Sequence, residues 1–372
     1  MSSREHSIPG REVPPVAVTT ATASAELTRP VSERDRAIDI ARMAAAFLIV
    51  LYHASESYAL SGGKDVFGRP LWSVVGDLSL WGRVPFFFFL SGCFAARSLQ
   101  KYPNDEGSVV KKRLSALLPP YLFWNLVSLS MLWVGAHFGI ESAKGERTSL
   151  LASIEQLFGF GMAPANGPLW FVRDLILCSC LAPFLKRLGP LLLVPCIAFT
   201  ILPEIPADLI AHGCPRPSSL GYFGIGMLLN NIPRGTLARA FPWPGLGFLF
   251  CLALGIIHSV FSLPKPALAG VSCGALGILL LGRYVDITWP KLAAWLGKHA
   301  NASFMIFAAN VPFFAVARQL YPKLAASVLP PGFPMLAYFL NLALVFLFLA
   351  IGAHYAIKRF APRLLSLVSG GR

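Results

Sequence analysis

Four ionisable side chains, Asp39, Arg42, His53 and Glu56, lie in one otherwise apolar stretch near the start of the chain. If that stretch is a helix, Arg42 and His53 share a face. They are eleven residues apart, so they fall about 20° out of register after three turns and about 16 Å apart along the axis. Glu56 follows His53 by three residues and lies on nearly the same side. A histidine beside a carboxylate is the arrangement that activates a hydroxyl. The carboxylate orients the ring and stabilises the imidazolium, while the other ring nitrogen accepts the proton. An arginine on the same face, most of a leaflet away, suits the phosphates of a donor. His53, Glu56 and Arg42 are therefore the candidate catalytic residues.

Further candidates follow along the chain. Arg83 opens a second apolar stretch that runs on through Phe86–Phe89 to Ser91-Gly92. A Lys111-Lys112-Arg113 cluster precedes a third. Arg42, Arg83, Ser91, Lys112 and Arg113 form the candidate donor-binding set. Ser91-Gly92 also suits close helix packing, and the basic cluster also suits anchoring at a membrane surface. A fourth stretch begins Asn166-Gly167-Pro168-Leu169-Trp170-Phe171-Val172-Arg173-Asp174. Trp170, Arg173 and Asp174 are candidates for substrate binding. Arg173 and Asp174 are adjacent, which turns them about 100° apart on a helix and argues against their pairing with each other. His137, His258 and Asn310 read as isolated structural residues.

The elements that must position these residues are membrane helices. Of 372 residues only 13% are charged and 55% are hydrophobic, with a mean hydropathy of +0.61. A soluble protein of this size needs a larger polar surface. Windows free of Asp, Glu, Lys and Arg, such as 114–140, 240–264, 299–317 and 324–357, approach or exceed the roughly 20 residues that cross a bilayer. With a few buried charges allowed, ten spans are expected near 38–59, 76–97, 114–137, 168–186, 189–203, 218–232, 244–263, 266–282, 299–320 and 333–357. The fold class is thus an all-α polytopic transmembrane bundle. With the N-terminus in the cytoplasm, 21 Lys and Arg fall on the cytoplasmic side and 8 opposite, which favours an even count with both termini cytoplasmic. The same bias explains the net charge of +14 without a nucleic-acid partner. Residues 1–33, rich in Pro, Ala, Thr and Ser, read as a disordered cytoplasmic tail. Residues 34–360 form the membrane domain, and 361–372 a second cytoplasmic tail. Six of seven cysteines lie in apolar segments and Cys214 in a loop. No Cys-x-x-Cys pair occurs, so neither a metal site nor a disulfide framework is expected.

Taken in order, these segments resemble the acyltransferase 3 family of integral membrane O-acyltransferases. The first signature, an arginine and a histidine separated by ten residues, reads Arg42-Met43-Ala44-Ala45-Ala46-Phe47-Leu48-Ile49-Val50-Leu51-Tyr52-His53. The second, Phe-Phe-x-x-Ser-Gly, reads Phe87-Phe88-Phe89-Leu90-Ser91-Gly92. Leu169-Trp170-Phe171 and Tyr222-Phe223-Gly224-Ile225-Gly226 are further elements. The resemblance covers most of residues 34–357. It implies transfer of an acyl group, usually acetyl from acetyl-CoA, to a hydroxyl of a cell-envelope or exported carbohydrate. His53 would be the base and Arg42 part of the donor or catalytic site. The chain departs from the family pattern twice. Ala116 stands where a second arginine often follows Arg113. Asn310 stands where a late histidine often follows the element seen here as Ser303-Phe304-Met305-Ile306-Phe307.

The expectation is therefore an enzyme of the inner or plasma membrane. Its partners are acyl-CoA, a carbohydrate acceptor and membrane lipid, and it needs no metal. A transporter or flippase for a lipid-linked sugar shares the buried charges and kinked spans but needs no thioester. A sensor or scaffold that has lost catalysis is the third reading.

Overall fold

The computed structural model describes residues 35–62, 68–138, 149–201, 215–230, 242–264, 268–327 and 335–370. The expected tail at 1–33 and Cys214 lie outside these. The secondary-structure elements among the described residues are all helices, as apolar segments in a bilayer must be to satisfy their own backbone groups. In chain order the helices are α1 (Arg36–Leu60), α2 (Leu71–Leu78), α3 (Arg83–Lys101), α4 (Glu106–His137), α5 (Leu150–Phe158), α6 (Trp170–Leu188) and α7 (Leu193–Ile201). There follow α8 (Pro217–Leu229), α9 (Pro244–Val260), α10 (Leu268–Thr288), α11 (Pro290–His299), α12 (Ser303–Ser327), α13 (Met335–Phe360) and α14 (Pro362–Ser369).

Arg36–Arg372 folds as one unit, and α1 is its hub. Met43, Ala46, Val50 and Ala54 pack into a cluster with Ile306 and Phe314 of α12 and Phe339 and Phe346 of α13. Ala41 and Ala45 face Phe86 and Leu90 of α3 and Ile278 of α10. Ile40 meets Val285 and Ala293. Ile49, on the Arg42/His53 side, joins the largest cluster, with Phe88, Phe171 and Phe307. The run of alanines lets neighbouring helices approach α1 closely.

Side-chain contacts fix the helix directions. The start of α3 lies beside the end of α1, because Arg83 stacks on Tyr52. Lys101 therefore ends α3 level with the start of α1. Glu106 opens α4 there, paired with Lys186 and Arg187 at the end of α6. Just ahead of it Asp105 caps α4. The hydrogen bonds from the Ser108 side chain and backbone N–H hold its carboxyl below the usual carboxylate range. The end of the bundle that holds the start of α1 is called the near end below, and the other the far end.

Six of the described helical segments are long and apolar enough to cross a membrane, or seven if the bent pair α2–α3 is one span. The ten expected windows differ for two physical reasons. Residues 168–186 and 189–203, read as two spans, run together as one segment over Gly167–Ala198. The windows near 218–232 and 244–263 form α8 and α9, of 13 and 17 residues. At 1.5 Å per residue these fall short of a hydrocarbon core about 30 Å thick. The segment expected as a second tail contains a helix. Residues Pro362–Ser369 form α14, which buries Leu365 and Val368 and receives the Trp124 indole N–H at the Val368 carbonyl, 3.0 Å away.

Candidate active site

The first signature lies along one side of α1. At the near end Arg42 Nη1 lies 3.2 Å from Asp39 Oδ1 and Nη2 donates to Ser303 Oγ at 3.1 Å. Ser303 opens α12, so the first family element and the late one meet at this arginine. The Arg42 side chain is 12% exposed. At the far end His53 Nδ1 lies 2.8 Å from Glu56 Oε2. An ionised carboxylate only accepts, so Nδ1 is the donor, and in the neutral ring Nε2 presents its lone pair. Nε2 has no protein partner among the described residues, and the ring is 16% exposed. The ring is thus held from one side and open on the other, the geometry of a general base.

Between the two ends the face is apolar. Ile49 is 3% exposed and packs in the cluster that contains Phe171 and Phe307. Arg318 of α12 acts electrostatically on Glu56. With Ser303 at Arg42 and Arg318 near Glu56, α12 runs in the same direction as α1 and walls this face along its whole length.

Arg83 belongs to the far end. Its guanidinium lies 4.3 Å from the centroid of the Tyr52 ring and 5.2 Å from that of Trp81. Nη1 donates to Ser79 Oγ at 3.0 Å. Tyr52 in turn meets the rings of His53, Trp72 and Trp81 edge-on. The corner that carries these groups is strained. Leu80 and Trp81 both have positive φ, 46° and 58°, a conformation that side-chain-bearing residues adopt at a cost of about 1–2 kcal/mol each. Packing enforces it. A Cβ on Gly82 would strike the backbone of Gly274 and Ala275 in α10, and Trp81 lies over Gly76. Trp81 Nε1 donates to Asp77 Oδ1 at 3.1 Å. Asp77 also meets Arg69 at 2.6 Å and His258 at 3.3 Å. His258, read from the sequence as isolated, is tied into this corner.

The second signature and the glycine element of α8 prove to be one contact. A Cβ on Gly92 would collide with the carbonyl oxygen of Phe223, and one on Gly226 with that of Phe89. Cys93 Sγ lies 3.1 Å from the Gly226 carbonyl. Ser91, beside Gly92, is half-buried and has no hydrogen bond within the described protein.

Arg173 and Asp174 pair, contrary to the expectation from their 100° offset. Arg173 curls back so that Nε and Nη2 reach Asp174 Oδ1 at 3.0 and 2.7 Å, while Nη1 donates to the Gly159 carbonyl at 2.7 Å. Four rotatable bonds give arginine a reach that Cα directions do not convey. Asp174 Oδ2 accepts from Arg216 N and Ser219 Oγ, both at 3.0 Å. Its charge thereby caps the N-terminus of α8. The Arg216 guanidinium covers the Trp170 ring at 3.8 Å. These three side chains are thus occupied by protein partners at the far ends of α6 and α8. Lys112 is exposed and Arg113 half-buried on α4, towards the near end. Ala116 is covered by Gly370, which follows α14. Asn310 is buried and donates to the Phe307 carbonyl at 2.7 Å.

Arg318, Ser303 and Asp77 are missed from the sequence. For the first two a signal exists. Ser303 and Arg318 are 15 residues apart and Arg42 and Glu56 are 14 apart, so two neighbouring helices carry polar groups at matched heights.

The chain is 25% identical over 290 residues to the succinoglycan biosynthesis protein ExoH of Rhizobium meliloti (strain 1021), covering 72% of this chain and 73% of that one. No solved structure matches. The model of the acyltransferase domain matches residues 35–354, which takes in Arg42, His53, the Ser91-Gly92 element and Ser303. With that match over most of its length, the chain belongs to the acyltransferase 3 family.

Proposed function

We propose that the protein is a membrane O-acyltransferase that moves an acyl group, acetyl in the simplest case, from acyl-CoA to a carbohydrate hydroxyl. The observation that carries this reading is the His53–Glu56 hydrogen bond on the helix that also holds Arg42, in a chain of this family. The carbohydrate acceptor is supported by the relative, a succinoglycan biosynthesis protein.

In this reading the near end faces the cytoplasm, with both termini there, and the protein resides in the inner membrane. Arg42 holds a phosphate of the donor, with Lys112 and Arg113 attracting it from the aqueous side. The acyl-pantetheine arm extends along the Ile49 face towards His53, displacing the aromatic side chains packed there. His53 Nε2 takes the proton of the acceptor hydroxyl as its oxygen attacks the thioester carbonyl. The tetrahedral intermediate collapses, the C–S bond breaks, and the imidazolium returns the proton to the departing thiolate. Glu56 stabilises the imidazolium through Nδ1. The apolar stretch between the ends keeps bulk water from the thioester.

Replacing His53 with Ala tests the assignment. Acylation of the envelope glycan, followed by mass spectrometry with and without the variant, is expected to fall by about 10²- to 10⁴-fold while the protein remains inserted and folded. Normal glycan acylation by the variant refutes the role of His53.

A further inference from the structure

Three arginines that are buried or half-buried in this fold sit on a carboxylate. Arg42 has Asp39, Arg69 has Asp77 and Arg173 has Asp174. Arg83 does not. It is 6% exposed, yet among the described residues no carboxylate lies within ion-pair distance. Its partners are the Ser79 hydroxyl and two aromatic rings. Arg318, half-buried on α12, likewise has no ion pair and no hydrogen bond within the described residues. Arg83 lies on the Tyr52 ring, which meets His53, and Arg318 follows Ala317, which packs in one cluster with Ala54 and Tyr58 around the end of α1; both thus come near Glu56, which is already bonded to His53. One carboxylate therefore serves two guanidiniums from opposite walls of the far end, α3 and α12. The surroundings of His53 thus hold two guanidiniums, one of them buried, against one carboxylate. Uncompensated charge at such depth is unfavourable, and it marks a place that takes an anion.

The surroundings suit a sugar that bears this anion. Tyr52, Trp72 and Trp81 are half-buried and stand around Arg83. The Trp72 indole N–H has no acceptor within the described protein. Flat rings, a free N–H donor and a guanidinium together supply the contacts that a pyranose with an acidic substituent needs.

We propose that Arg83 and Arg318 form an anion-binding subsite beside His53, which takes a carboxylate or phosphate group of the substrate during acyl transfer. The inference rests on the acyltransfer reading and deepens it by naming the substrate's charge. The acidic group has two possible sources, the acceptor glycan, as in a uronic acid, and the acyl chain, as in a dicarboxylic thioester.

The test uses the purified full-length protein and two matched pairs of probes, with binding measured by calorimetry. Cellobiouronate against cellobiose reports an acidic acceptor, and succinyl-pantetheine against acetyl-pantetheine an acidic acyl group. The wild type is expected to bind the acidic member of one pair about tenfold more tightly, and Arg318→Gln to cut that preference below about threefold. Arg318→Lys is expected to keep part of it, since it retains the charge and loses the fork. Arg83→Gln should behave like Arg318→Gln where thermal unfolding shows it folded, and Arg318→Gln alone decides where it is not. A preference for cellobiouronate assigns the anion to the acceptor, and a preference for succinyl-pantetheine assigns it to the acyl chain. No acidic preference in either pair, or a preference unchanged in Arg318→Gln, overturns the subsite. If the preference is present and no acyl group is transferred from any thioester, the subsite stands and the acyltransfer reading falls.

Discussion

Replacing Glu56 with Gln removes one charge from the site and little else. The Gln amide oxygen can still accept from His53 Nδ1 at the 2.8 Å spacing now held by the carboxylate, so the ring keeps its tautomer. What is lost is attraction between the carboxylate and the imidazolium that forms as the acceptor hydroxyl is deprotonated. With charge centres about 4 Å apart, this is worth about 1 kcal/mol in water and about 4 kcal/mol near a protein surface. Glu56 is 42% exposed, and Arg83 and Arg318 already draw on its charge. An intermediate value of about 1–3 kcal/mol follows, a fall in kcat of roughly 5- to 150-fold. The interaction strengthens only as the imidazolium forms, so KM for donor and acceptor should change little. The assay is steady-state release of CoA thiol by the purified protein over a range of acceptor and donor concentrations. A Glu56→Gln variant with kcat within about twofold of wild type, beside an inactive His53→Ala variant, refutes the idea that this carboxylate stabilises a charged histidine in the transition state.

Other substitutions separate chemistry from architecture. Arg42→Lys keeps the charge but loses the fork that now reaches Asp39 and Ser303; KM for acyl-CoA should rise about tenfold or more, read from donor titrations. Asp174→Ala strips the partner from a buried guanidinium and the cap from α8. It should destabilise by about 3–5 kcal/mol and show as loss of folded protein in size-exclusion profiles, rather than as a change in acceptor KM alone. Gly92→Val pushes α3 off the Phe223 carbonyl. A loss of about 1–3 kcal/mol or more is expected, measured as a lower unfolding temperature in detergent, with Ser91→Ala as the tolerated neighbour.

The geometry at the His53 end of α1 was legible because a helix fixes the angles between its own residues. Arg42, His53 and Glu56 needed only the 3.6-residue repeat, and the His53–Glu56 contact is the i,i+3 pairing that the repeat allows. What lay between helices was not legible in the same way. Arg318 falls inside the expected 299–320 span, but that it lies beside the end of α1 depends on how α12 packs, which hydropathy does not show. Arg173 and Asp174 read as diverging because Cα directions were used where side-chain length decides. The span count differed because hydropathy marks apolar segments without showing whether each is long enough, as helix, to cross. The Ser-Gly signature read as either packing or donor binding; the packing half is visible only once Phe223 is set against Gly92.

The α3–α8 seam is formed by main chain against main chain, with no side-chain volume left to adjust. Two partners joined this way have to change together. A chimera that takes α3 from a relative, to import a different corner around His53, also has to take that relative's α8. The cap that Asp174 gives α8 then extends the transplanted block to the start of α6. The corner around His53 is thus exchangeable only in large pieces, each carrying its own scaffold.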